Sequence, residues 1–321
     1  MHGVCVMLHI QTKVARGVLH NFWLVILSAM LLCICSLATA QKIPSDAPAT
    51  GAVTLIDDRG VAVKLNQKPL RVVTLLPSLG EIVCELQECD RLVGVDRYSN
   101  WPDRVKSLPK LGGLDDTHLE ALVKLRPDLV LLARSSRVTQ RLESLGIAVM
   151  ALEPQNQVDV QRAILHIALA LHLPDAQSRS ELLWQKIQTR LDQVVDKIPS
   201  SARGARVYFE VGSGYFAAGE ASFIGETLKR IGLINVVPLR MGSFPQVNPE
   251  FLVRSNPQII FIAEQSATDL SRRPGWDQMQ AIQENKICRI SAENSDILVR
   301  SGPRMAEAAQ LMLACLKRVY Q

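Results

Sequence analysis

The chain has 321 residues, 48% of them hydrophobic and 21% charged, enough for two domains of ordinary size with packed cores. Its formal charge of +5 includes Lys13 and Arg16 of an N-terminal stretch that carries no acidic residue, so removing that stretch leaves +3. With no basic run interleaved with aromatics, the balance argues against nucleic acid as a partner.

Residues 1–40 read as a secretory signal. Lys13 and Arg16 precede the apolar run 22–37, and Ala38-Thr39-Ala40 supplies small residues for cleavage, so the mature chain is expected to be exported and to begin near Gln41. The run also approaches spanning length, which leaves a retained membrane anchor as the alternative. Cys33 and Cys35 lack the preceding small residue that a lipid-anchored signal needs. No later stretch reaches about 18 uninterrupted apolar residues.

After a Pro/Ala/Ser-rich leader at 41–50, the segments 53–56 and 61–65 flank Asp57-Asp58-Arg59-Gly60 and predict a hairpin. Strand 72–76 leads into Pro77-Ser78, with Ser78 a candidate N-cap for a helix reaching Leu86. Strand 92–95 empties into Asp96-Arg97-Tyr98-Ser99-Asn100-Trp101-Pro102, a polar and aromatic loop at a strand's carboxyl end, where open α/β sheets hold ligands. Helix, strand, helix, strand and helix follow at 119–125, 129–133, 137–145, 147–152 and 158–171. Pro174-Asp175 opens a long helix to about Lys197, with Leu182, Leu183, Ile187, Leu191 and Val194 or Val195 on its apolar side.

The second half begins with strand 206–210 and the glycine-rich 212–219, which lacks the Gly-Lys-Ser/Thr ending of a phosphate loop. Helix 223–231, a loop at 240–247 with Phe244-Pro245, a helix and strand within 249–263, strand 287–290, a loop at 295–303 carrying Asp296 and Arg300, and helix 304–319 complete the chain. The expected class is α/β: two Rossmann-like lobes with parallel sheets, joined by a single long helix, with a ligand cleft between them. The boundaries read as signal peptide 1–40, leader and hairpin 41–70, first lobe 71–173, connecting helix 174–198 and second lobe 199–321.

One unit occurs twice. Residues 119–133, LEALVKLRPDLVLLA, return as 249–263, PEFLVRSNPQIIFIA, at a constant offset of 130, sharing Glu120/Glu250, Leu122/Leu252, Val123/Val253, Pro127/Pro257 and Ala133/Ala263. Each copy reads as a short helix, a proline stop and a buried parallel strand, with one glutamate at the helix start. A helix-proline-strand unit is also common in α/β proteins generally, and a glutamate in a first turn also complements the helix dipole.

Seven cysteines become four when Cys5, Cys33 and Cys35 leave with the signal. In an oxidising compartment Cys84, Cys89, Cys288 and Cys315 allow three pairings, among them Cys84 with Cys89 and Cys288 with Cys315; four buried thiols are the alternative. The mature histidines, His118, His166 and His172, share no metal-ligand spacing, and neither a nucleophile motif nor a paired carboxylate set is present, so no metal, cofactor or enzymatic activity is expected. What remains are rings and polar groups on strand-end loops: Tyr98 and Trp101 in the first lobe, Tyr215, Phe216 and Phe244 in the second, and Asp296 and Arg300 near the end. Together they describe a cleft for a flat apolar ligand.

At these residues the sequence resembles the periplasmic substrate-binding proteins of ABC importers for cobalamin, haem and ferric siderophores, and the cobalamin branch in particular. The likeness runs from Arg71 to Lys317. It is carried by residues 71–78, RVVTLLPS, by Val93-Gly94-Val95 leading to Tyr98-Ser99, by Leu119-Glu120 with residues 126–130, RPDLV, and by Phe244-Pro245-Gln246-Val247 ahead of Glu250. The resemblance implies a monomer that binds a corrinoid, with haem or an iron chelate as the alternative, and delivers it to a membrane permease. It implies ligand contact at Pro77, Ser78, Tyr98, Phe244 and the segment 296–300, and docking of Glu120 and Glu250 on permease arginines, one per lobe. Two tryptophans of the cobalamin branch are absent: one is Phe244 here, and the other falls in the longer loop around Leu111–Leu114. No residue matches a haem axial ligand in place, although Tyr98 or His118 has the chemistry.

Overall fold

Leu129, Val130, Leu131 and Leu132 are all buried, the mark of a strand covered on both faces. In the computed structural model, which describes residues 51–267 and 270–321, they form the middle of the first of two parallel sheets. The expected signal peptide at 1–40 and the leader at 41–50 lie outside the described residues. Everything described belongs to one compact unit.

The chain opens with a hairpin, β1 (Val53–Ile56) and β2 (Ala62–Leu65). Its turn is closed by the Asp57 carboxylate, which accepts from the backbone N–H of Arg59 and Val61. The first sheet has the order β4-β3-β5-β6, all parallel, from β3 (Val72–Thr74), β4 (Leu92–Val95), β5 (Leu129–Leu132) and β6 (Val149–Ala151). The Asp58 N–H donates to Ala151 O at 2.9 Å, tying the hairpin to edge strand β6. The helices between are α1 (Pro77–Glu85), α2 (Leu119–Lys124), α3 (Thr139–Ser144) and α4 (Gln157–Ala170), the last capped by Asn156.

Helix α5 (Ala176–Val195) leads to the second lobe. There β11 (Ile287–Ile290), β10 (Ile259–Ala263), β7 (Arg206–Gly212) and β9 (Ile234–Asn235) run parallel, and β8 (Phe216–Ala217) folds back antiparallel on β7 within the glycine-rich segment. Its helices are α6 (Phe223–Arg230), α7 (Pro249–Ser255), the single turns α8 (Glu264–Ala267) and α9 (Gln280–Gln283), α10 (Ala292–Val299) and α11 (Met305–Val319).

The duplication holds to the level of single hydrogen bonds. Arg126 and Asn256, 130 positions apart, both turn with positive φ (46° and 43°). Asp128 N donates to Arg71 O and Gln258 N to Arg206 O, each at 2.8 Å. Leu129 and Leu131 face the same apolar core as Ile259 and Phe261, whereas Val130 and Leu132, like Ile260 and Ile262, face away into a separate cluster on their own lobe. The first of these cores is shared. It runs from Leu79 and Leu131 through Leu183, Ile187, Leu191 and Val194 of α5 to Phe209, Met305 and Met312, so both lobes and the connector pack as one body.

Three expectations need correction. Ser78 is not an N-cap: Leu76 holds the cap position, Pro77 starts α1 with φ already suited to a helix, and Ser78 is turned inward and buried. Leu182 is exposed, because the spacing of Leu183, Ile187, Leu191 and Val194 already defines the buried stripe and the preceding residue lies about 100° away. Residues 295–299 are helix and not loop: Ser291 accepts from Asn294 N and caps α10, a start signal that a polar stretch lacking apolar period had hidden.

Both candidate disulfides are formed, Cys84–Cys89 with Cα atoms 4.1 Å apart and Cys288–Cys315 with Cα atoms 5.7 Å apart. The second links β11 to α11 across 27 residues. Replacing Cys288 and Cys315 together by serine is expected to cost about 2–4 kcal/mol of stability by freeing that loop in the unfolded chain. A urea midpoint equal to that of the parent would refute the cost.

Candidate functional site

A helix that precedes a strand of a parallel sheet starts at the carboxyl edge of that sheet. That places Glu120, in the first turn of α2, and Glu250, in the first turn of α7, at corresponding corners of their lobes, and both side chains are exposed. Leu122 and Leu252 anchor the two helices on the outer sheet faces, leaving the glutamates free to point outward. Asn248 caps α7 by accepting from Glu250 N at 2.7 Å, whereas His118 at the same place on α2 makes no such bond.

The same carboxyl edges bring the strand-end loops together. Arg300, just beyond α10, is 7% exposed. Its Nη1 donates to Glu81 Oε1 at 2.7 Å and to Asn100 Oδ1 at 2.8 Å, and its Nη2 donates to Tyr98 O at 2.8 Å and pairs with Asp296 Oδ2 at 2.9 Å. Asn100 Nδ2 returns a bond to Asp296 Oδ2 at 2.7 Å. Inside the loop, buried Asp96 accepts from the Ser99 hydroxyl and from Tyr98 N; burial holds its carboxyl above the usual range against those bonds. Gly302 lies against Ser78: a Cβ there would stand 3.2 Å from the serine Cβ, an approach that favours glycine. Arg304 places its guanidinium 4.9 Å from the centre of the Trp101 ring. A second line of contact joins Phe223 N to Gln155 O at 2.8 Å and Gln157 N to Glu226 Oε2 at 2.6 Å.

The other predicted contact residues differ in exposure. Tyr98 is 60% exposed, Phe216 43% and Leu114 40%, while Pro77, Trp101 and Phe244 are half-buried, the last beside Phe223 with ring centres 5.9 Å apart. Tyr215 is also half-buried, its ring centre 5.0 Å from the Arg273 guanidinium carbon. The structure therefore joins Tyr98, Asp296 and Arg300 directly, sets Ser78 against Gly302 two residues further on, and seats Tyr215 on a separate group built from Tyr208, Glu210, Arg273 and Trp276.

The sequence reading missed Glu81, Asn100, Glu210 and Arg273. Glu81 did carry a signal, since a carboxylate on the face shared by Ser78 and Ile82 of an apolar helix must find a buried partner. Arg273 carried none. Among the described residues no three His, Cys, Asp or Glu side chains gather as metal ligands, and no helix is long and apolar enough to cross a membrane.

The sequence that builds these two lobes matches the periplasmic binding protein family over residues 72–293. The chain belongs to the periplasmic binding protein family. Such a periplasmic binding protein is a substrate-binding component of an ABC importer and not an enzyme; it binds a small ligand and pairs with a membrane permease. An uncharacterised ABC transporter substrate-binding lipoprotein of Bacillus subtilis (YvrC) is 26% identical over 298 residues, covering 89% of this chain and 92% of that one. A cobalamin-binding protein of Halobacterium salinarum is 31% identical over 229 residues, 69% of this chain and 61% of that protein's length. Among solved structures, the periplasmic heme-binding protein HutB of Vibrio cholerae shares the fold with a TM-score of 0.63 at 21% identity, over 77% of this chain and 98% of that one.

Proposed function

We propose that this periplasmic binding protein captures a corrinoid between the rings of its two lobes and delivers it to a two-fold permease through Glu120 and Glu250. The carrying observation is the equivalence of the two exposed glutamates, 130 residues apart on duplicated helices, which suits a partner that presents the same basic site twice. The corrinoid is supported by the named cobalamin-binding relative and by the exposed rings of Tyr98 and Phe216, which suit a large flat ligand. Export with cleavage near Ala40 belongs to the same reading, and the Bacillus relative is a lipoprotein, which makes a membrane-anchored form its alternative.

Haem or an iron chelate is the second reading. It is favoured by the exposed phenol of Tyr98, an oxygen donor at the cleft rim that can ligate ferric iron. Titrating the mature chain with cyanocobalamin and with hemin, followed by calorimetry and visible spectra, separates the two. Cyanocobalamin is expected to bind with a Kd of about micromolar or tighter. A hemin spectrum shifted by the protein and abolished in Tyr98→Phe, with no cobalamin heat, would transfer the function to haem.

A further inference from the structure

Arg300, expected at the ligand, directs its guanidinium to four protein acceptors. Three of them, Glu81 Oε1, Asn100 Oδ1 and Tyr98 O, belong to the first lobe, and the fourth, Asp296, belongs to its own helix. The Arg300 and Glu81 side chains are 6% and 1% exposed, so the pair is sealed in the seam and not offered to solvent. Glu81 sits on α1, one turn beyond Ser78, where Gly302 makes the close backbone approach described above. Two separate residues of the 300–304 segment thus grip α1, while Arg304 grips the far end of the Tyr98–Trp101 loop through the indole ring.

We propose that Arg300 and Glu81 are positioning residues of the cleft: together they clamp the Tyr98–Trp101 loop of the first lobe onto the second, and so set where the exposed Tyr98 ring stands relative to Phe216 and Phe244. The inference rests on the reading of the cleft as the ligand site. Stability alone would not call for this arrangement. Glu81 Oε2 accepts no hydrogen bond, and burial holds the carboxyl above its usual range despite the neighbouring Arg300 charge. An apolar pair of similar volume packs such a seam as well or better. What an apolar pair lacks is reach: a planar guanidinium carries several donors in fixed geometry and can hold a carboxylate, an amide oxygen and a main-chain carbonyl at once. Lysine also has three donors, but they radiate from one nitrogen on a flexible stem and cannot span acceptors that the guanidinium reaches from two separate nitrogens.

The test uses the mature chain with spin labels at the exposed positions 120 and 250, read as a label-to-label distance distribution without ligand, alongside thermal midpoints and cyanocobalamin affinity. Arg300→Lys and Glu81→Gln, the conservative variants, are expected to stay folded, broaden the distance distribution, and weaken affinity by about ten- to a hundredfold. The apolar pair Glu81→Leu with Arg300→Met is expected to restore the thermal midpoint while leaving the distribution broad and the affinity low. An apolar pair with a narrow distribution and parental affinity would overturn the positioning role and leave a merely structural one. If the distributions respond as expected but the parent binds no corrinoid, the clamp stands and the ligand assignment falls.

Discussion

Replacing Arg273 by methionine is expected to lower stability by about 3–5 kcal/mol, the cost of leaving a buried carboxylate without its cation. Glu210, near the end of β7, has a fully buried side chain and takes both Arg273 terminal nitrogens, at 2.6 and 2.9 Å, while the Tyr208 hydroxyl donates to it at 3.2 Å. The guanidinium carbon lies 4.5 Å from the centre of the Trp276 ring and 5.0 Å from that of Tyr215, which keeps water off the pair. Methionine fills the space and keeps the apolar contact, so the loss isolates the charge. Urea unfolding measures it, and adding Glu210→Gln should recover part of the loss. A cost below about 1 kcal/mol, typical of exposed pairs, would mean that solvent reaches the carboxylate.

The same group predicts an alkaline limit. Burial, and then the charge and hydrogen bond of Glu210, push ionisation of the Tyr208 hydroxyl well above the ordinary tyrosine value. The folded state therefore holds this proton more tightly than the unfolded chain. That contribution is complete below the unfolded value of about 10 and is lost as pH rises beyond it. The urea midpoint should fall above that pH, and Tyr208→Phe should flatten the fall.

The double variant Glu120→Ala, Glu250→Ala is expected to abolish uptake while leaving ligand affinity within about twofold of the parent. A charge pair lost at each lobe weakens docking by roughly tenfold or more per site, through both encounter rate and lifetime. Neither glutamate touches the seam formed by Ser78, Tyr98, Asn100 and Arg300, so capture should not sense the change. The measurements are ligand accumulation in cells and permease ATPase stimulation in vesicles, beside calorimetric affinity. Reduced affinity would count against docking. Intact uptake with stability lower by about 0.3–1 kcal/mol would instead assign both carboxylates to the helix dipole.

Much of this protein could be read from spacing alone. Runs such as residues 129–132 and 259–262 are apolar without alternation, as suits a strand covered on both faces, and the constant offset of 130 points to two equivalent lobes. Period and punctuation are local properties, so the hairpin, the parallel strands and the outward placement of Glu120 and Glu250 follow from neighbours within a turn or two. Polar partnership is not local. Arg300 meets Glu81 across 219 positions and Tyr98 across 202, and Glu210 meets Arg273 across 63, so no window of sequence could pair them. Likewise, four cysteines allowed three pairings until β11 and α11 were placed side by side. Sequence pattern reports which faces must leave water; folding in three dimensions decides which buried charges find one another, because a desolvated charge is satisfied by whichever group the topology brings within reach.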